Sequence, residues 1–582
     1  MSKIFILGMS PLPFENDRKV YGTGIRTWQF ILPLLERGHK ICVCNYAIPS
    51  AYADGFKSKY AKDFIYSMDS KGKQDFINSV LAEKGEGEAG ESRTGGEEKS
   101  SRYGFEYNVL KKDDFENVEL ISEIFTRFRP DCIVGCTFYP SYIASRLIHY
   151  LKSKNKDNNY GIGRGEQAHV ESKNKDNNYN MERGDAAHMK SAEVNPKNWN
   201  KGSDRNKGSD NTDSVQNISG IPFWADLFGH VMAEAQARAY IDGNDECLFH
   251  YWNSEYNIIS NADIFSCVSS RQQYALIGEL GTTGRLNKYT SGYDFTNIIP
   301  CGLPPEEYSH TKKVIRGRDG VKNDDFVVLW TGGYNTWTDV DTLFKGMMLA
   351  MEKNSEIKFV STGGEIPEQD MKTYPRFLSM INSSPYKDRF IMKGWVAGED
   401  VPNYYLEADV GINIDKDIYE VRLGSKNRIL DWFRAGLCAL SSNVCELTDI
   451  IEKEKIGYTF KPYDSNDLSA KLIYLANHPD EVKKTAIAGK RYGLLNFNFN
   501  KTTEKLQKWV ENPTFSPDRG KERKFFFSRE EALKNLEQIT LRQKKMIEER
   551  EKRISELEGI VKKGFIYRIY SYLKIVKRKI SG

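Results

Sequence analysis

Apolar and polar residues follow each other along the first half of the chain in a pattern that predicts alternating strands and helices. Residues 3–9, KIFILGM, form an almost unbroken apolar run, typical of a strand buried on both faces of a parallel sheet. Apolar positions spaced three and four apart from Thr27 to Leu35 predict an amphipathic helix that ends at Gly38, and KICVCNY predicts the next strand. Further apolar runs at 131–136, 262–269 and 297–302 continue the alternation.

A second series of strand–helix units begins with DFVVLWTGG at 325–333. Its other predicted strands are IKFVSTGG, RFIMKGWV, DVGINI, LCALSS and IGYTF, with predicted helices such as Asp341 to Met351 and Arg428 to Ala435 between them. Two such series predict an α/β protein with two doubly wound, Rossmann-like sheets. Because Pro and Gly residues are frequent among the charges that separate the series, we expect domains at 1–305 and 325–500.

Two polar segments interrupt the first series. Residues 84–102 contain almost no apolar side chains, so no burial would offset the entropy lost on ordering them. Residues 152–216 contain tandem polar copies, such as SKNKDNNY, which occurs twice. No copy has a hydrophobic face with which to stack on a neighbour, so we expect low-complexity surface inserts and not a solenoid.

The C-terminal segment, 528–582, differs in character from both series. Charged, helix-favouring residues with an incomplete heptad pattern predict a short or imperfect coiled coil through which the chain could self-associate. No acidic residue follows Glu558, and the last residues present one apolar and one basic helix face. This basic amphipathic tail predicts peripheral binding to an anionic membrane surface. A solvated oligomerisation helix is the alternative.

Composition narrows the class of protein. Apolar residues make up 39% of the 582-residue chain, which excludes global disorder, and a net charge of +4 gives no field that would gather nucleic acid. The nine cysteines are scattered and indicate neither a disulfide framework nor a zinc site. Since no run of eighteen apolar residues occurs, we expect a cytoplasmic protein, peripheral at most to the inner face of a membrane.

The loop VYGTGIRTW at 20–28 lies between the first predicted strand and the first predicted helix. Gly22 and Gly24 would let a ligand approach the backbone, and the following helix N-terminus would offer N–H groups to an anion. We therefore treat Gly22, Gly24 and Arg26 as candidate binding residues. A tight strand-to-helix turn explains the loop equally well.

The loop WTGGYNTWTDVDTL at 330–343 also follows a buried strand, at the carboxyl end where parallel α/β sheets bind ligands. A structural turn needs one glycine, whereas this loop has two, Gly332 and Gly333. Together with Tyr334, Asn335 and Trp337, they indicate a surface that receives a phosphate and a ring.

The segment 414–442 carries the most specific pattern, because cations, a carboxylate and a helix N-terminus come within a few residues of each other. A nucleoside diphosphate needs cationic donors for its pyrophosphate and a carboxylate for its ribose hydroxyls. Arg422, Lys426 and Arg428 are the candidate cations, Asp431 is the candidate ribose ligand, and Glu420 precedes them. A solvated charged loop is the alternative.

In PFWADLFGHVMAEAQ, at 222–236, three polar residues are spaced four apart: Asp226, His230 and Glu234. On a helix they would share one face, which we expect to point toward the cleft between the domains. The alternative is an ordinary helix cap formed by Asp226.

Several motifs together resemble one family of enzymes. The first βα loop is Gly-rich, the first helix ends in Gly38-His39, residues 262–269 have the pattern AD…VS, and residues 299–302 have the pattern IP-x-Gly. With the Gly332-Gly333 loop, these features are similar to those of the GT-B glycosyltransferases of the large retaining group called glycosyl transferases group 1. The resemblance extends over about residues 1–80, 103–150 and 217–495.

The resemblance implies an acceptor-binding N-terminal domain and a C-terminal domain that binds a nucleotide-sugar donor. NRILDWFRAGLCALSS is similar to the family variant NK-x-x-EY-x-x-x-G-x-P-V, which assigns Arg428 to the diphosphate and Asp431 to the ribose. Glu420 would be the first acidic residue of the family's Glu-seven-Glu motif, although it lies eleven residues before Asp431 and not eight. Asn335 and Trp337 stand where the family usually has cations.

The implied reaction moves a sugar, of the hexosyltransferase class and with retention of configuration, to a hydroxyl acceptor such as a lipid-linked saccharide, in polysaccharide or glycoconjugate synthesis. Family members place a catalytic His or Asp near 222–236, so Asp226, His230 and Glu420 are the catalytic candidates. The resemblance implies no cofactor and no obligatory metal. Asp339-x-Asp341 begins a predicted helix and is typical of an N-cap with an acidic first turn.

Two other functions remain open from the sequence. The missing cations after Gly333 and the displaced Glu420 favour a noncatalytic scaffold of the same fold that acts through its coiled coil, whereas Arg428, Asp431 and Gly436 argue against it. A nucleotide-sugar epimerase of the same fold is the second alternative. The donor sugar, the base and the acceptor depend on pocket shape.

Overall fold

The structure is a computed structural model that describes residues 1–15, 18, 20–53, 55–68, 101–160, 220–366, 370–521 and 529–580. The chain divides into two compact units, Met1–Arg519 and Gly520–Gly582. Most of the two predicted polar inserts, 84–102 and 152–216, lies outside the described residues.

The first sheet has eight strands in the order β3-β4-β2-β1-β5-β6-β7-β8. All neighbours are parallel except β3 and β4, which form an antiparallel edge. The strands are β1 (Lys3–Ser10), β2 (Lys40–Ala47), β3 (Lys59–Met68), β4 (Ser101–Leu110), β5 (Cys132–Gly135), β6 (Phe223–Leu227), β7 (Ile264–Cys267) and β8 (Thr296–Ile298). The helices of this half are α1 (Gly22–Glu36), α2 (Lys112–Glu116), α3 (Val118–Phe128), α4 (Phe138–Tyr160), α5 (Val231–Asp242), α6 (Leu248–Asn261) and α7 (Ser270–Thr282).

The second sheet has six parallel strands in the order β11-β10-β9-β12-β13-β14. They are β9 (Phe326–Thr331), β10 (Ile357–Thr362), β11 (Phe390–Gly394), β12 (Val410–Asn413), β13 (Cys438–Ser442) and β14 (Tyr458–Phe460). The helices are α8 (Val340–Lys353), α9 (Thr373–Asn382), α10 (Val401–Glu407), α11 (Tyr419–Leu423), α12 (Asn427–Ala435), α13 (Glu446–Glu454), α14 (Ser465–Asn477) and α15 (Pro479–Asn496). Three short 3-10 turns lie at Pro49–Ala51, Lys387–Arg389 and Gly398–Asp400.

The long apolar runs form the central strands of both sheets, as the sequence predicts. Ile4 to Leu7 of β1 and Val327 to Trp330 of β9 are fully buried, because helices cover both faces of each sheet. The predicted fold class, two doubly wound α/β domains with a helical C-terminal extension, is confirmed. The sequence did not predict the antiparallel pair β3–β4, whose strands flank residues 69–100.

After α15 the chain returns to the first sheet. Two short helices, α16 (Phe499–Thr502) and α17 (Glu504–Glu511), contribute apolar side chains to the core of the first half, and the Trp509 ring lies 5.5 Å from that of Trp224. Arg285, fully buried in the first half, forms an ion pair with Asp518. The last residues of this unit therefore belong structurally to the N-terminal half.

Residues 529–580 of the second unit form one long helix, α18 (Arg529–Ile580), as the helix-favouring composition predicted. Its apolar side chains are exposed, for example Leu557 at 47% and Phe565 at 65%. Whether it pairs as a coiled coil stays a prediction. Across the part of the chain that the structure describes, no helix is both long and apolar enough to cross a membrane.

Candidate functional site

Two glycine-containing loops meet at the carboxyl ends of β9 and β10. Gly363 has a φ of +140°, and a Cβ there would lie 2.0 Å from the carbonyl oxygen of Gly332, whose own φ is +93°. A Cβ on Gly333 would lie 2.4 Å from the Ile366 side chain. These glycines are therefore required by close packing and backbone conformation.

The guanidinium group of Arg428, in the first turn of α12, lies over the Trp330 ring at 4.1 Å. A Cβ on Gly332 would be 3.6 Å from Arg428 Nη2, so the cation is next to the glycine loop. Arg428 Nη1 is buried without a hydrogen-bond partner, and no salt bridge to Arg428 occurs within the described part of the chain. Desolvation lowers the pKa of Arg428, with the charge of Asp415 opposing that effect. The site therefore presents a desolvated cation without an anion.

Lys426 supplies a second cation beside the first. Its Nζ lies 3.6 Å from Asp415 and 3.8 Å from Glu420, and its side chain is 8% exposed. Burial raises the pKa of Glu420 to about 7, although the charge of Lys426 opposes that shift. Glu420 Oε2 is buried and accepts no hydrogen bond. The Glu420 carboxyl group is thus able to exchange a proton near neutral pH.

Asp431 lies one turn after Arg428 on α12. It accepts a hydrogen bond from the Tyr308 hydroxyl group at 3.1 Å, and burial raises its pKa. The Tyr308 ring is covered on its face by the Arg434 guanidinium group at 4.0 Å. Asp431 is half-buried and already has one donor, which leaves its remaining acceptor positions for hydroxyl groups of a ligand.

Three other predicted donor-binding residues have different surroundings from those expected. Tyr334 is fully buried, stacks on Trp330 at 4.9 Å and forms a hydrogen bond with Ser361, so the prediction that its side chain is part of the donor-binding surface is wrong. Arg422 is 48% exposed and forms a bidentate pair with Asp417, at 2.5 and 2.9 Å. The Asn335 backbone N–H donates to Thr338 Oγ1 within the half-buried loop after Gly333.

The N-terminal loop meets α12 across the space between the two sheets. A Cβ on Gly22 would lie 2.6 Å from the Asn427 side chain, and one on Gly24 would lie 2.0 Å from the Pro11 carbonyl oxygen. Arg26, however, is 1% exposed and forms a bidentate salt bridge with Asp226. Gly22 is thus near the candidate site, whereas Arg26 is a core residue and the prediction that it binds an anion is wrong.

The helical spacing proposed for Asp226, His230 and Glu234 is also wrong. Asp226 lies on strand β6 and is fully buried, while Gly229, with a φ of +101°, ends that segment before α5 begins at Val231. His230 is the N-cap of α5, where its Nδ1 accepts from the backbone N–H of Ala233. Asp226 is neither a helix cap nor accessible to a substrate.

His230, Glu255 and Glu279 form a cluster in which the atoms that could bind a metal ion lie within 4.8 Å of one another. It is the one such cluster of His, Cys, Asp and Glu side chains within the described ranges. His230 Nε2 is 3.0 Å from Glu279. Burial and the charge of Glu279 raise the pKa of Glu255 to about 8. Burial opposes protonation of His230, but the hydrogen bond and charge of Glu279 outweigh it and raise the pKa of His230. Both ring nitrogens of His230 therefore have partners within the protein, Ala233 at Nδ1 and Glu279 at Nε2.

Sequence reasoning missed Trp330 and Asp415. Trp330 lies within a predicted strand, where an aromatic residue is usually a core residue, and its ring is the one on which Arg428 lies. Asp415 lies two residues after the end of β12 and pairs with Lys426. Its position after an apolar strand was a usable signal, because side chains at the carboxyl ends of parallel strands share one edge of the sheet.

Comparisons with known proteins agree with this architecture. Residues 325–478 match a family model described as glycosyl transferases group 1. The chain is 23% identical over 235 residues to a putative glycosyltransferase, YtcC, of Bacillus subtilis, covering 38% of this chain and 55% of that protein. It is 26% identical over 159 residues to mannosylfructose-phosphate synthase of Agrobacterium fabrum, covering 27% of this chain and 33% of that protein. The matches thus span from a third to about half of the length of these curated relatives.

Solved structures share the fold at low sequence identity. Sucrose-phosphate synthase from Thermosynechococcus elongatus superimposes with a TM-score of 0.51 and 12% identity, covering 88% of this chain and 98% of that chain. An apo structure of OtsA gives a TM-score of 0.50 and 9% identity, covering 88% of this chain and all of that chain. At such identities the likeness concerns the fold.

Proposed function

We propose that this chain, a two-domain protein of the GT-B fold whose residues 325–478 match the glycosyl transferases group 1 family, transfers a sugar from a nucleoside-diphosphate sugar to a hydroxyl acceptor. The proposal rests on the environment of Arg428. This desolvated cation stacks on Trp330 beside a glycine loop, and one of its buried N–H donors has no hydrogen-bond acceptor. A buried charge without a partner is costly, so such a residue is expected to bind an anionic ligand.

A diphosphate fits this position by its charge and its shape. Its oxygens would accept from the Arg428 guanidinium group, which binds phosphate through paired N–H donors. A Cβ on Gly332 would have only Arg428 Nη2 within 4 Å, so a phosphate bound to Arg428 would be able to approach the backbone at this glycine. Asp431, one turn along α12, would accept hydrogen bonds from the ribose hydroxyl groups.

The transferred sugar would lie toward Glu420 and Lys426. The barrier to transfer is dominated by negative charge on the departing diphosphate and positive charge on the sugar, so a fixed cation near the leaving group lowers it. Arg428 would serve the diphosphate in this way, and the Glu420 carboxylate would stabilise or orient the sugar. Because protein cations neutralise the leaving group, the proposed reaction uses no metal ion or other cofactor. We also propose, because the family resemblance implies it, that the transferred group is a hexosyl group and that its anomeric configuration is retained.

The proposal also covers where in the cell the protein acts. Beyond Glu558 helix α18 carries basic residues around exposed apolar ones such as Phe565, Ile569 and Leu573, a combination that favours the surface of an anionic membrane. Such a position, at the cytoplasmic face, suits a lipid-linked saccharide acceptor and polysaccharide or glycoconjugate synthesis. The full chain should co-sediment with vesicles containing phosphatidylglycerol, and deletion of residues 562–582 should abolish this without reducing nucleotide affinity.

Two other functions predict different outcomes. A noncatalytic scaffold would bind no nucleotide sugar productively and would act through self-association of α18. An epimerase of the same fold would convert the donor without an acceptor. Incubating each of UDP-, GDP- and ADP-sugars with and without acceptor, and analysing products by mass spectrometry, separates all three.

The direct experiment is calorimetric titration of the full chain with UDP, GDP and ADP. We expect one of them to bind, and Arg428→Ala to weaken that binding at least about tenfold, since charge-assisted hydrogen bonds contribute roughly 1.5–3 kcal/mol. Arg376→Ala on α9, where Arg376 forms an exposed pair with Asp341, is the matched control and should bind like the wild type. Unchanged affinity in Arg428→Ala, in a protein of native thermal stability, would refute the proposal.

A further inference from the structure

Tyr308 lies in the segment that connects β8 of the first sheet to β9 of the second. Its hydroxyl group donates to Asp431 Oδ1 at 3.1 Å, although the two residues are 123 positions apart in the sequence. Within the part of the chain that the structure describes, the Asp431 carboxylate accepts no other hydrogen bond. The orientation of the proposed ribose ligand therefore depends on a residue outside the second sheet and its helices.

The Tyr308 ring packs against two side chains that restrict its position. The Arg434 guanidinium group covers one face of the ring at 4.0 Å, and the Tyr405 ring lies 5.7 Å away, inclined by 46°. Arg434 is itself held, because its Nε donates to the carbonyl oxygen of Glu306 at 2.5 Å and its Nη2 lies 3.6 Å from the Glu306 carboxylate. The hydroxyl group that contacts Asp431 is thus carried on a ring whose place is fixed by other contacts.

Arg428, Asp431 and Arg434 follow one another at spacings of three residues on α12, so they are neighbours on one side of the helix. Both arginines stack on aromatic rings, Arg428 on Trp330 and Arg434 on Tyr308. They differ in their hydrogen bonds, since Arg428 Nη1 has no acceptor whereas Arg434 bonds to the connecting segment. Arg428 is therefore available to a ligand, and Arg434 holds Tyr308 and its segment against α12.

The hydrogen bond from Tyr308 favours the charged form of Asp431. Burial raises the pKa of Asp431, and the charge of Arg434 and the Tyr308 hydrogen bond oppose this effect. Burial and the charge of Asp431 raise the pKa of Tyr308, so its hydroxyl group keeps its proton and remains a donor. A charged carboxylate is a stronger acceptor than a neutral one, and one that is already oriented loses less freedom when a ligand binds.

We infer that Tyr308 is a positioning residue for the donor: it holds the Asp431 carboxylate in place for the ribose hydroxyl groups and so strengthens recognition of the ribose. The inference rests on the proposed function, which assigns the ribose to Asp431. It adds a residue of the connecting segment to a donor site otherwise formed by the second sheet, its loops and α12. Tyr308 acts through Asp431 and not on the substrate itself.

The test compares two ligands by calorimetric titration of the full chain. One is whichever of UDP, GDP and ADP binds the wild type, and the other is its 2′,3′-dideoxy analogue, which lacks both ribose hydroxyl groups. The ratio of their affinities measures recognition of the ribose. A general loss of folded protein lowers the amount of active protein for both ligands alike, so a purely structural role leaves the ratio unchanged.

We expect the wild type to prefer the ribonucleotide by about tenfold or more, because charged hydrogen-bond acceptors contribute most to such recognition. Tyr308→Phe keeps the ring under Arg434 and removes the hydroxyl group alone, and it should lower the ratio about threefold or more. Tyr474→Phe is the matched control. It also removes a tyrosine hydroxyl that donates to a carboxylate, that of Glu481 at 2.5 Å, and should keep the wild-type ratio.

Asp431→Ala separates failure of the inference from failure of the proposed function. If this variant loses the preference for ribose while Tyr308→Phe keeps it, Tyr308 is a structural residue and the inference alone is overturned. If Asp431→Ala keeps the preference, or the wild type shows none, the ribose does not bind Asp431 and the inference is wrong together with that assignment. A wild type that binds none of the three nucleotides would refute the proposed function and the inference with it.

Discussion

Arg26 and Asp226, two hundred residues apart in sequence, form a bidentate salt bridge in the core of the N-terminal half, with Nη2 to Oδ1 at 2.7 Å and Nε to Oδ2 at 3.0 Å. Both side chains are completely buried. Asp226 also accepts hydrogen bonds from Ser266 Oγ and from the backbone N–H of Thr137. The pair thus connects helix α1 to strands β6 and β7 and to the segment after β5.

We expect Asp226→Ala to destabilise the protein by roughly 3–5 kcal/mol, because removing one partner leaves the other charge buried and unpaired. The free energy of unfolding from urea denaturation measures this effect. Asp242→Ala, which removes an exposed pair with Arg238, is the control and should cost less than about 1 kcal/mol. A catalytic role for Asp226 would instead appear as lost transfer activity with unchanged stability.

Gly363→Ala should prevent nucleotide binding. The added Cβ would lie 2.0 Å from the Gly332 carbonyl oxygen at a φ of +140°, so one of the two loops that meet beside Arg428 has to move. Gly364→Ala is the matched control, since its Cβ would lie 3.5 Å from Tyr374 and Trp395, at ordinary contact distance. Calorimetric titration with the nucleotide that binds the wild type compares the two variants. Equal affinity in both would show that the loops do not form the donor site.

The sequence predicted the two sheets because long apolar runs and helical periodicity are local signals, as in β1 and β9. It also brought Arg428 and Asp431 together, since one turn of helix separates them. Prediction from the sequence failed for residues whose partner is distant along the chain. A charged residue such as Arg26 in a Gly-containing loop suits an anion-binding site and an internal ion pair equally well, and only the fold shows that Asp226 is its partner. Tyr334 failed for a related reason, because only the packing of Trp330 and Ser361 decides that its ring points inward.

The ion pair between Arg285 and Asp518 predicts that the last residues of the first unit hold the N-terminal half together. Arg285 Nε donates to Asp518 at 2.7 Å, and Arg285 Nη2 donates to Ser516 Oγ, with all three residues buried. Asp518→Ala should lower the free energy of unfolding by roughly 3–5 kcal/mol. Glu504→Ala, which removes an exposed pair with Lys508 on α17, should leave it nearly unchanged. A small loss in Asp518→Ala would mean that this segment is peripheral.

Glu420 should make stability depend on pH near neutrality. Burial raises its pKa from an ordinary 4.5 to about 7 in the folded protein, so the folded state holds a proton that the unfolded state releases. Its contribution to stability is therefore fully present below the ordinary pKa, declines as pH rises from about 4.5 and is lost above about 7.

Glu420→Gln removes this titration, so its free energy of unfolding relative to the wild type should rise between pH 5 and pH 8 by roughly 1–3 kcal/mol. The attraction between Lys426 and the Glu420 carboxylate is already included in the pKa of about 7, because it opposes the rise that burial causes. Urea denaturation of both proteins at several pH values measures this difference in the free energy of unfolding. Glu255, whose pKa is raised to about 8, titrates in both proteins, so its effect cancels in the difference. Since Gln cannot carry the carboxylate charge proposed to face the sugar, the same variant should lose transfer activity while retaining affinity for the free nucleoside diphosphate. A parallel loss of nucleotide affinity would place Glu420 at the diphosphate and not at the sugar.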